Sequence, residues 1–427
     1  MHPYSSLTMA QLQQESEILK ARFEEYKGRG LKLNMARGVP SPAQLDLSQD
    51  MMSCLGGADD CICDGVEARN YGLPEGLPAA KQLFAEILGV NAEQVIVGNN
   101  SSLNMMHDMI MRGFCFGFGG CKPWFQQGRV KFICPVPGYD RHFAICENLG
   151  IEMIPIRMTP DGPDMDAVRE LVKDESVKGM WNIPKYSNPT GYTYSDETVK
   201  ALASLKPAAK DFRIFWDNAY CVHDLTDEGD RLADIMSLAE AAGNENMVFM
   251  FASTSKMSFP GAGIACAVVG KGDLPYVRKL IGIQSICPDK LNQLRHVRYF
   301  KDGNGVKEHM KKHAEIIRPK FEAVQNAFTA ELEGCGIASW TRPNGGYFIS
   351  LDVLNGTASR VIGLAAEAGL LLTPAGSTWP YHNDPDDSNI RIAPTYPSVD
   401  DIKLAAEIIA VCVKLAAVEK IISAKEC

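Results

Sequence analysis

Between about residues 95 and 270 the chain alternates short apolar runs with helical stretches, and this alternation most restricts what it can fold into. The runs at 130–134, 153–156, 213–216 and 247–251 are strand-length. Their spacing is the signature of a mostly parallel sheet with crossover helices. Helical spacing also marks residues 9–26, where Leu12, Ile18 and Phe23 sit among charges. A long helical stretch at 306–332 leads to Gly345-Gly346-Tyr347-Phe348-Ile349-Ser350-Leu351, an alternating strand. With a strand around Ile390 and a closing helix after Val399, these predict a small α+β domain. The expected fold class is therefore α/β. A large domain at 51–303 has helices on both faces of its sheet, a smaller domain occupies 304–427, and the segment 1–50 contributes to the smaller one. The stretch at 113–120, rich in Gly and Phe, reads as a loop near a site or an interface.

A chain of 427 residues suits two such units. Hydrophobic residues at 46% support a real core, and a formal charge of −9 argues against broad binding of nucleic acid or anionic membrane. No apolar stretch approaches the roughly 20 residues that span a bilayer. The N-terminus lacks a basic region followed by an apolar core, so no signal peptide is expected. The 13 cysteines show no paired framework spacing, and Cys61-Ile62-Cys63 lacks a second ligand pair, so no metal is expected. A reducing cytoplasm fits this usage.

The chemistry starts at Lys256. The run Val248-Phe249-Met250-Phe251-Ala252 ends in Ser253-Thr254-Ser255 and then presents this amine. A desolvated lysine shifts its pKa downward and becomes able to condense with a carbonyl, while small hydroxyls beside it suit a bound phosphate. Together they point toward pyridoxal phosphate, although a lysine snorkelling from a strand end would look the same. Two upstream segments favour the cofactor. Asp211-Phe212-Arg213-Ile214-Phe215-Trp216-Asp217 is an apolar run with Asp217 at its carboxyl end, where open α/β sheets bind ligands. A carboxylate there keeps the cofactor's ring nitrogen protonated, and Tyr220 could donate to its phenolate oxygen. Asn188, fixed in the turn Asn188-Pro189-Thr190-Gly191, could donate to that same oxygen.

The order Asn188-Pro189-Thr190-Gly191, Asp217-x-x-Tyr220, Ser253-x-Ser255-Lys256 and a late strand carrying Arg391 resembles the fold-type I, class I/II aminotransferase family. The resemblance runs from about Gly38 to the C-terminus and is nearest the bacterial branch described as aspartate aminotransferases. It implies a Schiff base between Lys256 and pyridoxal phosphate, with Lys256 as general base and Asp217 on the ring nitrogen. In Val95-Ile96-Val97-Gly98-Asn99-Asn100-Ser101-Ser102, it implies that Ser101 and Ser102 meet the phosphate at a helix N-terminus; a plainly capped helix would look alike. Ser253 and Ser255 join them. Tyr139 stacks on the pyridine ring, the alternative being ordinary packing of a tyrosine. Tyr71 reaches the phosphate held by a partner subunit, which implies a homodimer with shared sites. On the substrate side the resemblance implies Arg391 for the α-carboxylate, with Asn188 and the loop at Gly38 beside it. A salt-bridged edge-strand arginine is the other reading of Arg391.

The chain departs from the family where an arginine usually follows the lysine to pair with the phosphate. Those positions hold Gly263 and Ile264. Gly261-Ala262-Gly263 is no dinucleotide fingerprint either, because Cys266 stands where its third glycine belongs. A dicarboxylic substrate would need a second cation, which the resemblance implies often comes from the partner subunit; Lys290, Arg295, Arg141 and Arg37 are the candidates, and the sequence does not choose among them. The expected activity is amino transfer from an L-amino acid, aspartate by resemblance, to a 2-oxo acid such as 2-oxoglutarate. A pyridoxal-phosphate lyase or decarboxylase of the same fold is the competing enzyme. A ligand-sensing regulator is the competing class, which the acidic balance and the short stretch before Gly38 oppose.

Overall fold

The strands at the centre of the molecule are mostly apolar because helices cover both faces of their sheet. A computed structural model describes residues 2–426; Met1 and Cys427, the outer bounds of the expected terminal segments, lie outside the described residues. The strands are β1 (Val95–Val97), β2 (Lys131–Val136), β3 (Glu152–Thr159), β4 (Gly162–Pro163), β5 (Val177–Asn182), β6 (Arg213–Asp217), β7 (Val248–Ser253) and β8 (Ala265–Val269). They form one eight-stranded sheet in the order β1-β8-β7-β6-β5-β2-β3-β4. From β7 to β3 all neighbours are parallel; β8 runs antiparallel to β7 and β1, and β4 antiparallel to β3.

Every residue of β5 to β8 is buried. The charges that fall in these strands are paired: Lys178 donates to Asp211 at 2.8 Å, and Arg213 pairs with Asp273. Either cation alone would be a bare buried charge. Strand β8 returns directly after the lysine loop, so no helix follows Gly261-Ala262-Gly263 and a dinucleotide turn has no place there.

The stretch at 113–120 corrects the expectation of a loop, because the helix Ser102–Phe116 runs through its first half. A Cβ at Gly113 would lie 2.7 Å from Phe118 and 2.8 Å from Trp124. The glycine lets two aromatic rings close on the helix instead of breaking it. Both rings belong to the core on one face of the sheet.

A second core gathers the two ends of the chain. Helices Met9–Gly28, Gly303–Leu332 and Val399–Glu426 pack together, and the closing helix is buried at almost every position from Ile402 to Val418. A helix apolar all round needs neighbours on all sides, which the other two supply in part. Glu331 ties the three: it accepts from Arg22 at 3.0 Å and from Lys414. Beside them lies an antiparallel sheet of β9 (Ala338–Trp340), β10 (Ile349–Val353) and β11 (Asn389–Ile392), in that order. The expected strand from Gly345 begins only at Ile349. A Cβ on Gly345 would sit 2.2 Å from the Tyr186 ring, so the two glycines serve a close approach to that ring instead of a ladder. Among the described residues no helix is long and apolar enough to cross a membrane.

Candidate active site

Parallel strands leave their carboxyl ends free to carry side chains into a crevice. Here Asp217 ends β6, Ser253 ends β7, and the turn after β5 carries Asn188; all three line a cavity of about 560 Å³. Gly38, Ser101, Ser102, Tyr139, Tyr220, Ser255, Lys256 and Arg391 line it too. Of the residues expected to hold the cofactor or the α-carboxylate, Tyr71 lies off this wall, at 78% exposure.

The Lys256 amine sits 5.2 Å from the Tyr220 ring centre and 5.8 Å from that of Tyr347. Burial pushes its pKa below the ordinary lysine value, and the Asp217 charge partly opposes that push. Behind it, the Tyr347 hydroxyl accepts from Gln44 at 2.9 Å and donates to the Lys256 carbonyl at 3.5 Å.

Asp217 is held by a residue the sequence did not single out. His142 Nε2 lies 3.1 Å from Asp217 Oδ2, and its ring stacks on Trp181 at 4.2 Å with the planes 8° apart. The other carboxylate oxygen, Oδ1, is buried with no partner. Tyr139 meets His142 edge-on at 5.0 Å; burial first, then the Asp217 charge, pushes its pKa up to about 12. Its hydroxyl therefore stays protonated at neutral pH. The Asn188 amide oxygen is likewise buried without a partner, next to the cis bond to Pro189. A buried carboxylate calls for a buried donor, but no local pattern in the sequence marks His142 as the one that meets it.

On the opposite wall, β11 places Arg391 with its guanidinium 5.1 Å over the Phe348 ring. Its Nη1 donates to Asp140 Oδ1 at 3.2 Å, and its Nε is buried without a partner. A Cβ on Gly38 would lie 2.6 Å from Phe348, so glycine alone lets this loop approach the ring.

Ser101 precedes the helix Ser102–Phe116 with φ at 81°, and Ser253 Oγ donates to Ser255 Oγ at 3.1 Å. The N-terminus of a 15-residue helix and the hydroxyls of four serines (Ser101, Ser102, Ser253 and Ser255) thus line the cavity. The missing arginine has a packing reason. A Cβ on Gly263 would meet Asn100 Oδ1, Phe259 O and Thr254 Oγ1, each at 3.2 Å, and Ile264 is fully buried in the core. Among the described residues, the cations lining the cavity are Arg37, Arg141, Lys256 and Arg391.

Two of the expected second cations are placed elsewhere. Lys290 is buried and donates to the Tyr71 and Gly72 carbonyls at 3.1 and 2.9 Å; Arg295 donates to Asn292 Oδ1 at 2.8 Å. Neither lines the cavity of its own chain.

Sheet and cavity together define an aminotransferase of the type I fold. The α-aminoadipate aminotransferase of Thermus thermophilus shares that fold with a TM-score of 0.73 at 21% identity, over 93% of this chain and 95% of its own. Within the class, the chain belongs to the family described as aspartate amino-transferase, whose model matches residues 7–425. An aspartate aminotransferase of Corynebacterium glutamicum is 48% identical over 404 residues, 94% of each chain. The crystal structure of an aspartate transaminase from the same species has a TM-score of 0.96 at 46% identity, covering 98% of this chain and 99% of that one. Aminotransferases of this fold use pyridoxal phosphate, and the cavity fits that group. The bare Asp217 Oδ1 suits a protonated ring nitrogen, the Asn188 side chain on the cavity wall carries an NH2 that suits a ring oxygen, and the helix N-terminus suits a phosphate.

Proposed function

We propose that this aminotransferase moves the amino group of L-aspartate to a 2-oxo acid, 2-oxoglutarate first among them, with pyridoxal phosphate attached at Lys256. The reading includes a cytoplasmic homodimer in which Tyr71 serves the partner's site. It also divides the chain into a cofactor-bearing part, 51–303, and a smaller part, 304–427 with 1–50. The observation that carries it is the pairing, in one cavity, of a desolvated Lys256 amine with a buried Asp217 oxygen that has no partner.

When bound, the cofactor supplies an aldehyde for the amino group and a pyridinium ring that stabilises negative charge. The residues of the chain do the rest. Asp217, fixed through Oδ2 by His142, would meet the ring nitrogen with its free oxygen and keep that nitrogen protonated. Tyr139, Asn188 and Tyr220 line the cavity, where Tyr139 would cover a ring face and the Asn188 NH2 and Tyr220 hydroxyl would donate to the ring oxygen. Ser101, Ser102, Ser253 and Ser255 hold the phosphate. Arg391 receives the substrate's α-carboxylate, with Phe348 and Gly38 packed behind it to exclude water. Once the substrate's amino group has taken its place on the cofactor, the freed Lys256 amine would take the proton from the substrate's α-carbon, and its lowered pKa leaves more of it neutral for that task at working pH.

Support for shared sites comes from Lys290, which holds the Tyr71 loop by two carbonyls while the Tyr71 ring points to solvent. The test is the absorbance spectrum of the purified protein, with and without L-aspartate. A near-visible band that shifts on adding L-aspartate, and oxaloacetate formation that requires 2-oxoglutarate, are the expected results. Turnover of L-aspartate without any amino acceptor would overturn amino transfer.

A further inference from the structure

Four cations could in principle have met the second carboxylate of a dicarboxylic substrate, and two are spent on other oxygens. Arg37 and Arg141 remain. Both are exposed, both line the cavity, and neither side chain has a hydrogen-bond or ion-pair partner among the described residues. Their positions differ. Arg141 sits in the first turn of the helix Asp140–Asn148, where a cation opposes the helix dipole. The acidic residue next to it, Asp140, is already engaged by Arg391. It also flanks Tyr139: burial raises that hydroxyl's pKa most, and the charges of Arg391 and Arg141 both pull against the rise. Both guanidiniums therefore share a cavity with the residue assigned to the ring face, and the charge of each reaches it. Arg37 shows no such link to Tyr139 or to Arg391.

We propose that Arg141 is the specificity-determining residue of this site: it binds the side-chain carboxylate of a dicarboxylic substrate while Arg391 binds the α-carboxylate. This rests on the aminotransferase reading above. The second cation then comes from the same chain as Lys256, and it is placed by the helix that also carries His142. An unfavourable spot for an empty cation becomes a favourable one once an anion arrives, since the guanidinium can hold a carboxylate through two N–H groups.

The experiment compares Arg141→Ala, Arg141→Lys and Arg37→Ala in the cofactor-loaded protein, with L-aspartate and L-alanine as amino donors. Arg141→Ala should lower the ratio of kcat/KM for L-aspartate over L-alanine at least tenfold, mainly through KM, and Arg141→Lys should recover part of it. Calorimetric titration with succinate, an unreactive dicarboxylate, gives a readout independent of turnover. Its Kd should rise at least tenfold in Arg141→Ala and less in Arg37→Ala. An equal loss for both donors, or an unaltered succinate Kd in Arg141→Ala, overturns the assignment. So does a selective loss seen only in Arg37→Ala. Failure of the wild-type protein to transaminate either donor would instead remove the aminotransferase reading, and succinate binding would still decide for or against Arg141.

Discussion

Asp217 shows how much of this site depends on one bond between distant residues. Its Oδ1 is free because Oδ2 is held by His142, 75 positions earlier, and His142 is itself fixed by stacking on Trp181. Removing that donor from a buried carboxylate costs about 1.5–3 kcal/mol of orientation and solvation, or roughly a 10- to 100-fold effect on a rate. His142→Ala should therefore lower kcat by about that factor, with KM changed far less; steady-state kinetics check it. A kcat near the wild-type value would mean Asp217 needs no such support. Lys256, Asp217 and Asn188 were legible because each ends or follows an apolar run, a local pattern. His142 was not legible, since which carboxylate a histidine meets is decided by the packing of separate strands. The same reason hid the fates of Lys290 and Arg295. A sequence shows a cation but not whether nearby carbonyls already hold it.

Elements were easier to foresee where hydrophobic spacing was strong. The expected helices at 9–26 and 306–332 stand as Met9–Gly28 and Gly303–Leu332, and the strands near 213 and 390 stand within a residue or two. Glycine misled in two places. At Gly113 it admits Phe118 and Trp124 against a continuous helix, and at Gly345 it admits Tyr186 where a strand was expected. Propensity alone marks glycine as a breaker; only the neighbours reveal a space that a Cβ would fill. Gly113→Leu should therefore destabilise the protein by about 1–3 kcal/mol through overpacking, more than a propensity gain could offset. Urea unfolding would measure it, and a stability equal to or above wild type would contradict this role for the glycine. The antiparallel β8 also went unforeseen, because a short apolar run does not reveal its direction.

For the molecule as a whole, the chain's two ends are joined through Glu331. The hydrogen bond from Arg22 first, and the pair with Lys414 next, hold its carboxyl down at about 2. The unfolded value is near 4.3, so the folded state binds this proton less readily. Its stabilising contribution is present in full above that value and is lost as pH falls from about 4.5 toward 2. Glu331→Gln should lose roughly 1–3 kcal/mol at neutral pH and show a flatter fall of stability across that acid window. Denaturant midpoints at several pH values would read both effects; parallel curves for the two proteins would refute the tie. The general plan, a mostly parallel sheet with crossover helices, was visible in the spacing of apolar runs. The seating of Arg391 against Phe348 across that cleft was not. The central claim is that the Lys256 amine carries the cofactor's aldehyde carbon. Borohydride reduction of the purified protein, followed by peptide mass mapping, tests it most directly. A pyridoxyl-phosphate adduct on the peptide containing Lys256, absent in Lys256→Ala, is the predicted result; an unmodified Lys256, or an adduct on another lysine, would contradict it.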